Sequence, residues 1–200
     1  MTDPSRLLDD RSIFLSINEW ARDTPWLHAF LRFYANFGVV LFAVLLLAGY
    51  VVGRRNRSAR QMAAAIWAGG ATLLAVALNQ PIASDVGEPR PYTVYRHILL
   101  LAHRSADPSF ASDHATMAGA AAVGLLIVSR RLGLVATVAA LLMGFARVYI
   151  GAHFPVDVVA GFALGGLVAG LGWLVLRRPL EITVRRAGAS PMRVITPVND

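Results

Sequence analysis

The chain of 200 residues contains no cysteine and no lysine. Without cysteine it cannot form disulfides or thiolate metal sites, and a zinc site would lose most of its usual ligands. Without lysine, all 19 basic residues are arginine, so the formal net charge of +7 rests on groups that stay protonated at any physiological pH.

Charged residues are also scarce, because they make up 16% of the chain while hydrophobic residues make up 56%. This composition is too apolar for an ordinary soluble domain and predicts a membrane protein whose partners are membrane lipids. The arginines lie between apolar stretches instead of on one soluble face, so a nucleic-acid partner is not expected. The sequence predicts no oligomeric state.

Five apolar stretches predict an all-α, polytopic membrane bundle of about five transmembrane helices, since a bilayer core needs about 20 helical residues. The third and fourth stretches are short and rich in Ala and Gly, which is typical of interior helices. Glycine pairs at 69–70 and 165–166 predict further close packing. The stretches cover approximately residues 26–52, 62–78, 115–128, 132–149 and 154–176, within one membrane-embedded domain of residues 1–178.

The two ends of the chain are predicted to differ. Apolar residues recur at helical spacing before the first span, which predicts an amphipathic helix at the membrane interface. Its apolar residues are Ile13, Phe14, Ile17 and Trp20, with Asn18, Glu19 and Arg22 opposite. The acidic opening residues Asp3, Asp9 and Asp10 indicate no cleavable signal peptide. Residues 179–200 predict a disordered basic cytoplasmic tail near anionic lipid.

Arginine clusters follow the first, third and fifth spans, and the positive-inside rule places these segments in the cytoplasm. The opposite side receives a long connection from about Gln80 to Ala111 and a turn near Gly151. We therefore expect a multi-pass protein of the cytoplasmic membrane. The histidines His97 and His103 in the connection are expected to be solvated.

Three polar clusters lie at that extracytoplasmic side: Arg90-Pro91, Ser112-Asp113-His114, and Arg147 with His153 and Asp157. Asp157 follows His153 by one helical turn, so its carboxylate could hold one imidazole N–H and leave the other nitrogen with a lone pair. Alternatively, the two side chains satisfy each other at a helix end while Arg147 reaches the headgroups. Ser112 and Asp113 could cap a helix or help form an anion site, and Arg90-Pro91 could be a rigid turn.

The order of these clusters resembles the type 2 phosphatidic acid phosphatase superfamily, which shares its site with vanadium haloperoxidases. The resemblance covers residues 79–160. The family's Arg-Pro matches Arg90-Pro91, its Pro-Ser-Gly-His matches residues 111–114, and its Ser-Arg-x5-His-x3-Asp matches residues 146–157. The stretch 109–116, with Asp113 in place of the family's Gly, is most similar to the members that act on polyprenyl diphosphates.

The resemblance implies a mechanism without metal or cofactor, because guanidinium groups neutralise the phosphate. His153 would form a phosphohistidine, Asp157 would orient it, and His114 would protonate the leaving oxygen and then activate water. The implied substrate-binding residues are Arg90, Pro91, Ser112, Asp113 and Arg147. The implied function is hydrolysis of a polyprenyl diphosphate to its monophosphate, which recycles a cell-wall carrier lipid.

Two departures from the family pattern affect the substrate site. The family Lys falls at Ala83, so Asn79 and Gln80, or a loop residue such as Arg96, would have to replace it, or the site carries less charge. A carboxylate about 6 Å from a phosphate costs roughly 2 to 3 kcal/mol, so Asp113 is predicted to turn away and cap its helix or pair with an arginine.

Several functions remain open on the sequence alone. The substrate could instead be phosphatidic acid or phosphatidylglycerol phosphate. The chain could also be a lipid phosphotransferase, because water and an acceptor hydroxyl would use the same histidines. A non-catalytic lipid-binding or transport protein is the alternative from a different class, which the missing lysine makes conceivable.

Overall fold

The computed structural model describes residues 4–188, and this part of the chain folds into a helical bundle. Helices α2, α3, α6 and α7 are long and apolar enough to cross a membrane, whereas α5 is apolar but only 16 residues long. The prediction of about five membrane helices is confirmed, with α5 as the short one. The helices are α1 (Pro4–Asp23), α2 (Pro25–Arg55), α3 (Ala59–Val86), α4 (Pro91–Val94), α5 (Asp113–Val128), α6 (Arg130–Tyr149) and α7 (Pro155–Gly188).

Helix α5 lies at the centre and packs against α3, α6 and α7. Small residues let α5 and α7 approach closely: a Cβ on Gly165 would lie 2.0 Å from the Thr116 carbonyl oxygen. The predicted packing role is therefore confirmed for Gly165. It is wrong for Gly69 and Gly70, because a Cβ at either position would meet nothing within 4 Å.

Two helices are longer than the sequence predicts. Helix α3 continues past Gln80 to Val86, where Gly87 at φ 60° ends it in a left-handed conformation that glycine adopts without strain. Helix α7 continues to Gly188, and Val184 is buried against the neighbouring helices. The predicted disordered tail is therefore wrong for residues 179–188, since this apolar contact keeps them helical. Residues 189–200 lie outside the described residues.

Helix α1 forms as predicted, but its buried face is different. Phe14, Asn18 and Ala21 are buried, whereas Ile13 and Trp20 are about half exposed. Asn18 was expected on the polar face. Its side-chain amide instead donates to the Leu99 carbonyl and accepts from the Leu99 N–H, both at 2.8 Å. These two bonds explain the correction, because they satisfy the backbone of the connection between α4 and α5. Residues 1–3, including Asp3, lie outside the described residues.

Candidate active site

A cavity of about 290 Å³ opens at one end of the bundle, where α3 ends and α5 and α7 begin. The structure brings the three polar clusters together around it, although they lie far apart in the sequence. The lining includes Arg90, Asp113, His114, Arg147 and His153. Both imidazoles of the sequence motifs therefore face one cavity.

His153 lies in the turn between α6 and α7 and is buried. Its Nδ1 lies 2.8 Å from the Ser109 carbonyl oxygen, and because that oxygen only accepts, Nδ1 carries the proton. Nε2 therefore presents its lone pair, and Arg90 Nη1 and Arg147 Nη2 each approach it to 3.3 Å. Burial lowers the pKa of His153 to about 4, with Arg147 and Arg90 acting in the same direction, so the ring is neutral at physiological pH.

Asp157 is fully buried behind His153, in the first turn of α7. Its Oδ2 accepts hydrogen bonds from Ser109 Oγ at 2.5 Å and from the Phe154 N–H at 2.8 Å, and it lies 3.5 Å from His153 Nδ1. The closest acceptor for Nδ1 is thus the Ser109 carbonyl, and the carboxylate fixes Ser109 and the turn. Sequence reasoning missed Ser109, because a backbone carbonyl 44 positions away leaves no signal in the residue pattern.

The two arginines of the cavity are held differently. Arg90 donates to the backbone carbonyls of Asp107 at 2.8 Å and Ala152 at 3.3 Å. Arg147 is buried, and its Nε has no hydrogen-bond partner. Among the side chains of residues 10–188, no carboxylate forms a salt bridge with Arg147, since the Asp157 carboxylate lies beside His153 instead. A buried guanidinium without a counter-ion is costly, so the site is complementary to an anionic ligand.

Asp113 turns toward α3, but not to the predicted partners. Its carboxylate accepts hydrogen bonds from Asn79 Nδ2 at 2.7 Å and from Gln80 Nε2 at 3.0 and 3.1 Å, so it neither caps α5 nor pairs with an arginine. The physical reason is that α3 extends about two turns further than predicted and presents both amides. These amides are consequently engaged with Asp113.

No cation replaces the family lysine in the way the sequence suggested. Ala83 lines the cavity, and Arg96 is exposed and does not line it. His103, which was expected to be solvated only, does line the cavity while remaining exposed. Among the residues that the structure describes, two arginines carry the fixed positive charge of the cavity, with His103 at its edge.

Two predicted substrate-binding residues do not line the cavity. Pro91 is fully buried and begins the short helix α4, so it sets the extended backbone of Arg90 instead of contacting a ligand. Ser112 is also fully buried, and its hydroxyl has no hydrogen-bond partner. The wall beside Ser112 is formed by Ala111 and Asp113. Both side chains lie behind the wall, and their contact with a substrate stays a prediction.

The N-terminus of α5 completes the site. Ser112 is its N-cap residue without a side-chain capping bond, and the first-turn N–H groups of a helix have no partner within the helix. These N–H groups and the helix dipole favour an anion beside His114. The arrangement as a whole offers a neutral imidazole nucleophile, a second imidazole and two guanidinium groups, which are the components of phosphoryl transfer through a covalent intermediate.

Comparisons with known proteins agree with this geometry. A family model described as the PAP2 superfamily matches residues 64–180. The chain is 32% identical over 167 residues to the undecaprenyl-diphosphatase BcrC of Bacillus subtilis, covering 82% of this chain and 81% of that protein. LpxE of Aquifex aeolicus has a similar structure, with a TM-score of 0.64 and 25% identity over 82% of this chain and 93% of that one.

A second solved structure is similar over a comparable length. It is a transmembrane PAP2 type phosphatidylglycerolphosphate phosphatase from Bacillus subtilis, with a TM-score of 0.59 and 24% identity over 88% of each chain. At this identity the likeness concerns the fold alone.

Proposed function

Since the chain belongs to the PAP2 superfamily and is a membrane lipid phosphatase, we propose that it removes the terminal phosphate of a polyprenyl diphosphate through a phosphohistidine on His153. The observation that carries the proposal is the position of His153 Nε2. Its lone pair faces the cavity between two guanidinium groups, each 3.3 Å away.

In the first step, His153 Nε2 attacks the terminal phosphorus, and the bond from phosphorus to the bridging oxygen breaks on the opposite side. Arg90, Arg147 and the first-turn N–H groups of α5 hold the equatorial oxygens, whose charge is spread in the transition state. The guanidinium groups that now point at Nε2 would turn their donors to those oxygens. The Ser109 carbonyl stabilises the positive charge that develops on the ring, because it accepts the Nδ1 proton.

His114 completes the reaction as acid and then as base. It donates a proton to the bridging oxygen, which leaves with the polyprenyl monophosphate. The resulting neutral imidazole takes a proton from water, which attacks the phosphohistidine and releases inorganic phosphate with His153 restored. Both imidazoles line the same cavity, which is the geometric requirement for this sequence of steps.

The choice of a polyprenyl diphosphate rests on two observations. The relative of 32% identity over 82% of the chain is named as an undecaprenyl-diphosphatase. In addition, the cavity wall includes further polar groups that a second phosphate could contact, namely Ser84 and His103. A phosphate monoester would leave such groups unused.

We also propose that the protein resides in the cytoplasmic membrane with the cavity on the extracytoplasmic face. The exposed arginines Arg54 and Arg55 end α2, and Arg130 and Arg131 begin α6. Helix α6 rises about 30 Å over its 20 residues before it delivers Arg147 to the cavity. The arginine-rich loops and the cavity therefore lie at opposite ends of the bundle, and the positive-inside rule assigns the arginine end to the cytoplasm.

Phosphate release by the purified protein tests the proposal. Undecaprenyl diphosphate, phosphatidic acid and phosphatidylglycerol phosphate are supplied in detergent to the wild type and to His153→Ala. We expect the wild type to have its highest kcat/KM for the diphosphate. We expect kcat/KM of His153→Ala to fall at least about a thousandfold, because the nucleophile is absent. After an acid-free quench, phosphate should be found on the wild-type protein and not on the variant.

His97→Ala is the matched control, because this histidine is exposed in the same connection and does not line the cavity. It should keep wild-type activity. Equal rates in wild type and His153→Ala would contradict the phosphohistidine and favour a binding protein. A preference for phosphatidic acid or phosphatidylglycerol phosphate would overturn the proposed substrate, and phosphate found on an added lipid alcohol instead of in solution would indicate a phosphotransferase.

A further inference from the structure

Glu88 lies in the short segment between α3 and α4, two residues before Arg90, and the steps described above do not use it. Its backbone carbonyl accepts a hydrogen bond from the Ser109 N–H at 2.8 Å. Ser109 in turn contacts both His153 and Asp157. Glu88 is therefore tied by its backbone to the residue that sets the tautomer of the nucleophile.

The side chain of Glu88 approaches Asp157 as well. Its half-buried carboxyl lies close enough to the Asp157 carboxyl for the two groups to interact. Oδ2 of Asp157 already accepts from Ser109 and Phe154, whereas the fully buried Oδ1 accepts from no N–H or hydroxyl donor among residues 10–188. A buried carboxylate oxygen without a donor is costly, so a proton between the two carboxyl groups would remove an otherwise unsatisfied acceptor.

We propose that Glu88 is a positioning residue, whose protonated carboxyl donates a hydrogen bond to Asp157 and thereby holds Ser109 and the ring of His153 in place. The inference rests on the proposed function, in that His153 is the nucleophile. Glu88 touches neither the ring nor the cavity. It acts through Asp157, which carries the Ser109 hydroxyl and the turn that presents His153.

The charges around Glu88 favour its neutral form. Burial raises the pKa of Glu88 to about 7, and the negative charges of Asp157 and Asp10 act in the same direction, while Arg11 opposes them. Asp10 and Arg11 face it from α1 and Asp157 from α7. Because the pKa is raised from its ordinary 4.5, the proton is retained below about pH 7 and lost above it.

This arrangement makes turnover depend on pH in a defined direction. Below about pH 7 the shared proton holds Asp157 in place. Above it, two adjacent carboxylates repel each other, and the support of Ser109 and His153 is loosened. Turnover by the wild type should therefore decline as the pH rises through this range.

Three variants test the inference, with farnesyl diphosphate as a soluble probe. Glu88→Gln keeps a donor of similar shape that does not titrate, and Glu88→Ala removes the donor. Asp85→Asn, an exposed carboxylate three residues earlier, is the control for the loss of one negative charge. The measurement is kcat and KM between pH 5.5 and 9, together with the melting temperature of each purified variant.

We expect Glu88→Gln to keep kcat within about threefold of wild type at pH 6.5 and to lose the decline centred near pH 7. Glu88→Ala should lose about tenfold or more in kcat with little change in KM, as expected for a missing hydrogen bond to a charged group. Asp85→Asn should behave as wild type. If Glu88→Ala does not fold, the pH profile of Glu88→Gln still decides the question.

The inference is overturned if Glu88→Gln keeps the wild-type pH profile, or if Glu88→Gln and Glu88→Ala have equal kcat. These outcomes differ from failure of the proposed function, which would appear as equal phosphate release by wild type and His153→Ala. If the wild type releases more phosphate than His153→Ala while the Glu88 variants behave as wild type, only the role of Glu88 is rejected.

Discussion

Arg147 shows how a single residue indicates the ligand of this site. It is charged and buried, and its Nε has no hydrogen-bond partner. Its Nη2 points at the nitrogen of His153 instead of at a carboxylate. A buried guanidinium without a counter-ion favours the binding of an anion, and a planar guanidinium matches two phosphate oxygens at once.

The substitution Arg147→Lys tests this interpretation. A lysine keeps the charge but provides one compact ammonium group in place of the planar guanidinium, so it cannot bind His153 and two phosphate oxygens together. We expect kcat/KM for a lipid diphosphate to fall by roughly 10²- to 10³-fold, as for other transition-state donors. Arg131→Lys, at an exposed arginine on the opposite end of α6, should keep full activity; an equal loss in both variants would contradict the specific role.

At the scale of helices, the contact between α5 and α7 determines the spacing of His114 and His153. Helix α5 begins at Asp113 beside His114, and α7 begins directly after His153. The Ser112 N–H donates to the Asp157 carbonyl at 3.1 Å, which joins the two helix starts. Below this bond the helices touch through glycines, so their separation is fixed by backbone contacts.

Gly165→Ala should therefore disturb both stability and activity. Its Cβ would lie 2.0 Å from the Thr116 carbonyl oxygen, and α7 would have to move away from α5. We expect a loss of about 1 to 3 kcal/mol in stability, measured as a lower melting temperature in detergent, together with a lower kcat. Gly70→Ala is the matched control, since a Cβ there meets no atom within 4 Å. Equal melting temperatures for the two variants would contradict this account of the packing.

The whole molecule shows which parts of the structure follow from the sequence. Hydrophobic runs predict the five membrane helices, and side chains with distinctive chemistry predict His114, His153 and the two arginines around the cavity. The partners of those side chains were not predictable. Ser109 acts through a backbone carbonyl, and the amides that bind Asp113 depend on about two additional turns of α3. Such contacts arise from packing across distant segments and have no periodicity.

The packing of α1 against the bundle also depends on contacts between distant segments. Its apolar spacing predicts an interfacial helix, yet Asn18 bonds to Leu99, and the Asp10 carboxylate accepts the Val156 N–H at the start of α7. Both bonds satisfy backbone groups that a sequence pattern does not describe. Helix α1 thus supports the site end of the bundle.

The orientation of the molecule in the membrane can be measured because the chain has no cysteine of its own. Single cysteines at Asp85, exposed near the cavity, and at Arg131, exposed at the other end, would be the only thiols present. We expect a membrane-impermeant maleimide to label Asp85→Cys in intact cells, and Arg131→Cys only after the cells are opened. The reverse pattern would place the cavity in the cytoplasm.

The shortness of α5 bears on how the lipid reaches the catalytic histidines. Its 16 residues rise about 24 Å, whereas a hydrocarbon core is about 30 Å thick. If the far end of α5 lies at one boundary of the core, its first turn would lie several ångströms beneath the opposite boundary. A lipid phosphate headgroup would then descend to the cavity, so that its chain stays among the acyl chains and avoids a cost of about 0.8 kcal/mol for each CH₂ exposed to water.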